Sequence, residues 1–320
     1  MSLQVKAREP AKAVTKTAAV RRGHSLVARR NRAGYLMSAP ALLFLGATML
    51  FPLVYNFWTS VHDVAIGDLI TGDWTFSGVD NYDSVVSESA FWHSVRVSLA
   101  FTAGSLAFQF TIGFALALLF VRKFPLAGLF RSLMLVAWLL PPIVSGTLFR
   151  WMLDADAGAY NELLRAVGLD SLAHNWLTDP STALPGVIAA NIWVGVPFNM
   201  LLLLVGLQSI DPTLYEAGAI DGAGPWQRLR HITIPLMRPV SAAVLLLGLI
   251  YTFKVFDLVF VLTGGGPVDT TTVLPLYVYQ VAFKLFQLGR GAAAGTLLLV
   301  IPLLVAIVYV RRLRKEGAAA

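Results

Sequence analysis

Runs of about twenty apolar residues constrain this chain more than any other feature, because a helix of that length crosses the roughly 30 Å hydrocarbon layer of a membrane. Of the 320 residues, 57% are hydrophobic and 13% charged, whereas about a quarter of a soluble domain is charged. We therefore predict an all-α, polytopic membrane protein with six transmembrane helices. Their predicted ranges are 36–58, 95–121, 129–150, 184–208, 240–262 and 291–310.

The distribution of charge predicts the orientation. Nineteen of the 25 lysines and arginines lie in tails and loops on one side of the predicted spans, nine of them before Tyr35, and most acidic residues lie on the other. By the positive-inside rule, both termini are cytoplasmic. We expect a multi-pass cell-membrane protein with a basic, disordered tail at 1–34, a six-span domain at 35–315 and a short tail at 316–320. The net charge of +7 then reflects topology, and no nucleic-acid partner is expected.

Several kinds of catalytic site are missing from the sequence. There is no cysteine and no Gly-Lys pair, so thiolate chemistry and a Walker A phosphate loop are excluded. The five histidines show no HExxH spacing, and no GxSxG motif occurs. We expect a protein that is not an enzyme and that holds no metal and no cofactor of its own.

The loop at 209–239, between the fourth and fifth spans, carries the strongest local signals. Asp211 is a suitable N-cap, and Pro212 suits the first helical position. Gly222 would end this helix in the left-handed conformation. Pro225 would begin a second short helix, which Pro235 would limit. The loop is therefore predicted to form a helix, a glycine turn and a second helix.

The first of these helices has small residues that would let another surface approach closely, flanked by larger apolar ones. The small residues are Ala217, Gly218 and Ala219. Two interpretations remain open from the residues alone. The helix is either a docking surface or a connector that lies along the membrane interface.

The loop resembles the EAA loop of permease subunits in binding-protein-dependent ABC importers. The similarity rests on Glu216-Ala217-Gly218, Asp221-Gly222-Ala223 and Ile232-x-Ile234-Pro235, and it extends to residues 191–198, 206–210 and 262–267. These further segments are typical of the carbohydrate-uptake branch, which includes the maltose-type permeases. Gly218, Leu229 and Ile234 depart from the residues usual in the motif.

The resemblance implies the type I importer permease (MetI-like) fold and a coupling helix seated in a groove of an ATPase. The implied ATPase-coupling residues are Glu216, Ala217, Gly218, Ala219, Asp221 and Gly222. The implied partners are a second permease subunit in a heterodimer, two ATPase subunits that hold ATP and Mg, an extracytoplasmic solute-binding protein and a carbohydrate substrate. Glycerol phosphate or a polyol is the alternative cargo.

Two stripes of residues at helical spacing are candidates for the substrate path. They recur at i, i+3, i+4 and i+7, and so each lies on one helical face. They also match the positions at which maltose-type permeases contact sugar. Packing between helices is the alternative, since small residues commonly serve that purpose in membranes. The stripes are Asn191, Val194, Gly195 and Phe198 in span four, and Gly248, Tyr251, Thr252 and Val255 in span five.

Two charged residues within the fifth predicted span require an explanation, because charges inside a membrane are costly. Lys254 and Asp257 are three residues apart and are placed about 180–240° around a continuous helix from Gly248. We expect them to lie off the substrate face, as an ion pair or as a contact with the partner permease. A proton or ion relay, as in an ion-coupled secondary transporter, is the alternative. Pro141-Pro142 and Pro197 are expected to kink spans three and four.

Overall fold

The computed structural model describes residues 37–122 and 124–317, and these are predominantly helical. The predicted tail at 1–34 lies outside the described residues, as do residues 318–320. The chain divides into two units, residues 1–55 and 56–320, and the packing described below belongs to the second. The helices in the described residues are α1 (Met37–Ser60), α2 (Asp68–Thr71), α3 (Asp80–Ser87), α4 (Ser89–Phe120), α5 (Ala127–Leu139), α6 (Pro142–Met152), α7 (Ala159–Ala166), α8 (Ala183–Gln208), α9 (Pro212–Ile220), α10 (Pro225–Phe253), α11 (Asp257–Leu262), α12 (Leu274–Tyr279) and α13 (Leu288–Gly317).

Short elements complete the description. Strands β1 (His62–Asp63) and β2 (Thr75–Phe76) pair antiparallel, and Asp170–Leu172 forms a 3₁₀ turn. Widened π-helical turns occur at Gly46–Leu50, Leu229–Thr233 and Gln280–Lys284.

Within residues 37–122 and 124–317, five helices are long and apolar enough to cross a membrane: α1, α4, α8, α10 and α13. A sixth span would consist of α5 and α6 together, which meet at a bend of 98°. The all-α, polytopic fold is confirmed. The predicted ranges 36–58 and 184–208 begin and end within two residues of α1 and α8. Helix α4 begins six residues before the predicted 95, and α13 ends seven residues after the predicted 310.

The third predicted span is broken rather than kinked. Leu140 and Pro141 are extended, with ψ of 137° and 136°, and Pro142 then begins α6. The residue before a proline is driven out of the helical region by the proline ring. Two consecutive prolines therefore impose a sharp corner on this apolar segment.

The fifth predicted span, 240–262, was wrong as a single helix. Helix α10 ends at Phe253, the next three residues leave the helix, and α11 begins at Asp257. Hydropathy averaged over the whole range does not reveal this break, although Lys254 lies within it and Asp257 directly after it.

The beginning of α10 also differs from the prediction, because Pro235 does not limit the second helix of the loop. The widened turn at Leu229–Thr233 precedes this proline, and the Ile234 N–H bonds the carbonyl of Leu229, five residues back. A proline ring ordinarily clashes with the carbonyl four residues earlier. The wider turn changes the spacing of these carbonyls, so one helix continues from Pro225 to Phe253.

The core of the second unit is organised around α4, which packs along α8. At one end, Phe101, Val187 and Val259 belong to a buried cluster that joins α4, α8 and α11. At the other end, Met200 and Met237 belong to a cluster that joins α8 to α10. Helices in membranes gain by close packing rather than by burial from water, so such contacts determine which faces meet.

A network of polar side chains connects the start of α4 to α12 and α13. The Glu88 carboxylate accepts a 2.7 Å hydrogen bond from the Tyr277 hydroxyl and pairs with the Arg290 guanidinium. Arg290 also donates to Gln287 over 2.7 Å. Partial burial acts to raise the pKa of Glu88, but the hydrogen bonds from Tyr277 and Arg290 outweigh it and hold this pKa below its ordinary value.

Candidate functional site

The loop between α8 and α10 begins with the predicted helix. The Asp211 carboxylate accepts a 2.9 Å hydrogen bond from the Thr213 backbone N–H, and Pro212 is the first residue of α9. This bond satisfies one of the free N–H groups of the first turn. It also favours the ionised carboxylate and is the main reason why the pKa of Asp211 is below its ordinary value. The predicted N-cap is confirmed.

The predicted glycine turn is also confirmed. Gly222 has φ of +81°, in the left-handed region. Its N–H bonds the carbonyl of Ala219 over 3.1 Å, and the N–H of Ala223 bonds the carbonyl of Gly218 over 2.8 Å. This pair of bonds is the Schellman motif, which ends a helix and satisfies its last carbonyls.

The start of α10 folds back onto α9. Pro225 is its first residue, and the Gln227 side chain accepts a 2.9 Å hydrogen bond from the Gly224 N–H. The Tyr215 and Thr233 hydroxyls lie 3.0 Å apart and connect the two helices. The loop is therefore an ordered helical hairpin that continues directly into a membrane span.

The predicted coupling residues do not all share one surface. Five of them are exposed: Glu216, Ala217, Ala219, Asp221 and Gly222. Gly218 instead faces α10, where an added Cβ would lie 3.1 Å from Ile232 Cδ1. Its small size lets α9 and α10 approach, so its placement differs from the outer face expected for it. Ile220, 87% exposed, and Trp226, 69% exposed, leave large apolar surfaces uncovered at the same end of the loop.

A cavity of about 370 Å³ lies among α4, α5, α8, α10 and the break after α10. All eight predicted substrate residues line it, although Val255 lies beyond the end of the helix on which it was placed. The remaining lining residues are Gln109, Trp138, Pro142, Asn199, Lys254, Phe256, Asp257 and Leu258.

The expected placement of Lys254 and Asp257 was wrong, because both line the same cavity as the two stripes. The expectation assumed a continuous helix, whereas α10 ends one residue before Lys254. The Lys254 ammonium lies 5.0 Å from the centre of the Tyr251 ring. Within the described residues, the ion pairs are Arg165–Glu162 and Arg290–Glu88, so Lys254 and Asp257 are not paired there.

Two further amides, which the sequence analysis missed, bond the main chain of α8 beside the cavity. Gln109 Nε2 donates to the Asn191 carbonyl over 2.8 Å, and Asn199 Nδ2 donates to the Gly195 carbonyl over 2.9 Å. Since a carbonyl can only accept, these bonds determine which way each amide points. The side-chain oxygens of Gln109 and Asn199 therefore remain as acceptors. The buried Asn199 Oδ1 has no partner in the described residues.

A signal in the sequence could have found Gln109. Buried polar residues recur every three or four positions along α4 and end at this glutamine. Such a stripe places all of its members on one face of a helix. Its members are Ser94, Ser98, Thr102, Ser105 and Gln109.

The two glycines of the predicted stripes face α4. A Cβ added to Gly195 would lie 2.3 Å from the Gln109 amide, and one added to Gly248 would lie 2.5 Å from Leu106 Cδ1. At both distances the Gln109 or Leu106 side chain would have to move to admit a Cβ. These glycines therefore serve the helix packing that was the alternative interpretation, while they also border the cavity.

Aromatic rings form one wall of the cavity. Trp138 and Phe198 stack with centroids 5.4 Å apart, and Tyr251 meets Phe198 edge-on at 5.8 Å. Ring faces beside amide and hydroxyl groups suit a ligand that combines hydroxyls with apolar ring surfaces. Among the described residues, no three His, Asp or Glu side chains form a group that could hold a metal ion.

Comparison with known proteins agrees with this architecture. Residues 109–315 match the family described as "Binding-protein-dependent transport system inner membrane component". The trehalose/maltose transport system permease protein MalF of Thermococcus litoralis is 35% identical, over 90% of this chain and 96% of its own length. The sulfoquinovosyl glycerol transport system permease protein SmoG of Agrobacterium fabrum is 29% identical, over 88% and 90%.

Solved structures show the same fold. A chain of a bacterial ABC transporter involved in the import of the acidic polysaccharide alginate superposes with a TM-score of 0.76 at 23% identity, over 90% of this chain and 96% of that one. A second structure, in complex with an alginate pentasaccharide-bound periplasmic protein, gives 0.74 at 23% identity, over 88% and 93%.

Proposed function

Because the chain belongs to the family of binding-protein-dependent transport system inner membrane components, we propose that it is the permease subunit of an ABC importer for a sugar or oligosaccharide. The observation that carries the proposal is the cavity in which both predicted stripes meet, between membrane-spanning helices. Its amides, hydroxyls and ring faces suit a polyhydroxylated ring. The relatives named for trehalose/maltose and sulfoquinovosyl glycerol transport support a carbohydrate cargo.

The chain would move its substrate by alternating access, driven by ATP on a separate subunit. The exposed hairpin of α9 and α10 supports this division of labour, because it offers a rigid surface that continues into a cavity-lining helix. Glu216 would be the charged contact with the ATPase, and Ala217 and Ala219 would allow close approach. No Walker A loop occurs in the chain, so ATP and Mg would be held by the partner.

The assembly would contain a second permease subunit, two ATPase subunits and an external solute-binding protein. Lys254 and Asp257, which are exposed and form no ion pair within the described residues, support a second permease subunit, since charges at membrane depth need a polar partner or water. We expect that subunit to be a different chain. The charge asymmetry of the loops supports placing both termini and the hairpin in the cytoplasm.

Reconstitution tests the proposal. Proteins that co-purify with the chain are identified, and the complete assembly is placed in proteoliposomes with its binding protein. We expect uptake of the sugar carried by that binding protein only when ATP is enclosed on the ATPase side. The matched control contains this chain alone under an imposed ion gradient. Uptake in the control would contradict the proposal and favour an ion-coupled transporter.

The hairpin is tested by Glu216→Lys. We expect loss of ATPase association in a pull-down and loss of uptake, with membrane insertion unchanged, because the exposed carboxylate is replaced by the opposite charge. Glu162→Lys, an exposed glutamate outside the hairpin, is the control for charge reversal. Unaltered ATPase association in Glu216→Lys would remove this residue from the docking surface.

A further inference from the structure

A second cavity, of about 570 Å³, lies beside the hairpin and is separate from the substrate cavity. It is bounded by the last residues of α4, by Leu207 near the end of α8, and by the facing parts of α9 and α10. All of these elements lie at the same end of their membrane spans. A bilayer around these spans would have its lipid headgroups at about this level.

The charged side chains that line this cavity are all positive. Arg122 and Arg228 line it, and no carboxylate does. Within the described residues, neither arginine lies in an ion pair. Glu216 and Asp221 belong to the same hairpin but are not among the lining residues. The cavity thus presents two cations for which the described part of the chain provides no counter-ion.

The Arg228 side chain is packed against its neighbours, yet it lacks a hydrogen-bond acceptor among the described residues. Its side chain packs beneath α9, where Cγ would lie 3.6 Å from a Cβ added at Gly218. Its Nε is buried and has no hydrogen-bond partner in the described residues. A buried donor without an acceptor is costly, and most so on a charged group. An anion with several oxygens would supply what is missing.

The remaining walls are apolar and carry aromatic residues suited to an interface. Leu118 and Leu207 extend the cavity towards the hydrocarbon layer, and Trp226 lies at its edge with most of its ring exposed. Tryptophan and tyrosine prefer the headgroup level of a bilayer. Basic pockets between transmembrane helices commonly bind anionic headgroups. A free anion would use the arginines but not these apolar walls.

We infer that this cavity binds one anionic phospholipid. The phosphate lies between Arg122 and Arg228, and an acyl chain lies along Leu118 and Leu207. The lipid joins the end of α4 to the start of α10, and Arg228 also contacts α9. The lipid therefore connects the hairpin to the membrane span beside it. This inference depends on the membrane fold and not on the identity of the transported substrate.

Native mass spectrometry of the full chain tests the inference. The protein is equilibrated with phosphatidylglycerol and with phosphatidylcholine of the same acyl chains, and the retained lipids are counted. We expect one tightly retained phosphatidylglycerol, and retention about fivefold weaker in each of Arg122→Gln and Arg228→Gln, which is about 1 kcal/mol for each basic residue removed. Arg230→Gln is the control, because this exposed arginine lies on α10 outside the cavity.

Three outcomes would overturn the inference: equal retention of phosphatidylcholine, unchanged retention in both arginine variants, or full displacement of the lipid by inorganic phosphate, which would indicate a free-anion site. If Arg228→Gln does not fold, Arg228→Lys keeps the charge and is expected to retain the lipid. Size-exclusion profiles of all variants show whether each is assembled, so lost retention is not confused with lost folding.

Discussion

At the scale of single residues, the candidate substrate cavity depends on small residues that leave space for polar side chains. Gly195 lacks a side chain, and the Gln109 amide occupies the space where one would be. The same amide donates to the Asn191 carbonyl and keeps its own oxygen as an acceptor beside the cavity. Gln109 and Gly195 together therefore serve both the packing of α4 against α8 and the contact with a ligand in the cavity.

Replacing Gln109 separates these two roles. Gln109→Leu removes an acceptor at the cavity, and the loss of one hydrogen bond is worth about 0.5–1.5 kcal/mol, or roughly a 2- to 12-fold rise in the KM for uptake. Gly195→Ala is expected to be worse, because the new Cβ collides with Gln109. Adding Gln109→Ala should restore assembly of that variant but not its KM. A double variant with normal KM would show that Gln109 only fills space.

Gly222 is required for its conformation and not for its size. No atom lies within 4 Å of a Cβ added there, but its φ of +81° disfavours any other residue. We expect Gly222→Ala to cost about 1–2 kcal/mol locally and to speed amide exchange in α9. Gly128→Ala is the control, because that position is equally open without a left-handed backbone. Equal exchange in both variants would contradict a strained turn.

Gln109 and Asn199 show the limit of prediction at this scale. The stripes around Asn191 and Tyr251 are visible as spacing on single helices. By contrast, Gln109 on α4 contacts Asn191, which lies 82 positions later in the chain. The stripe of hydroxyls along α4 reveals only that one face of this helix is polar. Which helix that face meets follows from packing.

At the scale of elements, the apolar runs predicted most helices, and proline and glycine chemistry predicted the hairpin of α9 and α10. Apolar runs did not predict the break between Lys254 and Phe256, because they do not show where the backbone leaves the helix, and the two charges that mark this place were interpreted as part of a continuous helix. That break brings Lys254 and Asp257 to the cavity. An error in one element boundary therefore misplaced two charged site residues.

The junction of α4, α12 and α13 is expected to depend on pH. Folding lowers the pKa of Glu88, so its contribution is present at neutral pH and is lost as pH falls through that lowered pKa, below the ordinary 4.5. Glu88→Gln should therefore lower the thermal stability of the purified protein at pH 7, by about 1 kcal/mol or less for a partly exposed pair. The difference from the unsubstituted protein should shrink as pH falls through the lowered pKa of Glu88.

Glu162→Gln is the control for this measurement, because its pair with Arg165 is exposed and spans three residues of one helix. It should change stability little at either pH. A difference in Glu88→Gln that persists in acid would mean that the carboxylate acts through packing and not through charge.

At the scale of the whole molecule, the topology depends on whether the bent pair of α5 and α6 crosses the membrane. Its bend of 98° fits either a broken span or a loop that returns to the same side. The absence of cysteine makes a direct test available. A single cysteine introduced at a chosen loop is the only thiol in the chain.

We expect cysteines at Asp83 and Asp156 to react with an impermeant maleimide from outside intact cells, and one at Asp221 to react only after permeabilisation. Asp83 and Asp156 are separated by α4 and by the bent pair, so they share a side only if the pair crosses. Labelling of Asp156 from the side opposite to Asp83 would show that the pair returns. External labelling of Asp221 would contradict a cytoplasmic hairpin.

The widened turn at Leu229–Thr233 has a mechanical consequence. Because the helix continues through this turn and past Pro235, the 29 residues from Pro225 to Phe253 form one continuous helix, about 43 Å long at 1.5 Å per residue. One end is at the hairpin, and the other carries Tyr251 and Thr252 beside the cavity. The helix is continuous between these ends, through the widened turn and past Pro239, so we expect a tilt imposed at the first end to displace the second, and a bound solute that resists this displacement to resist the tilt.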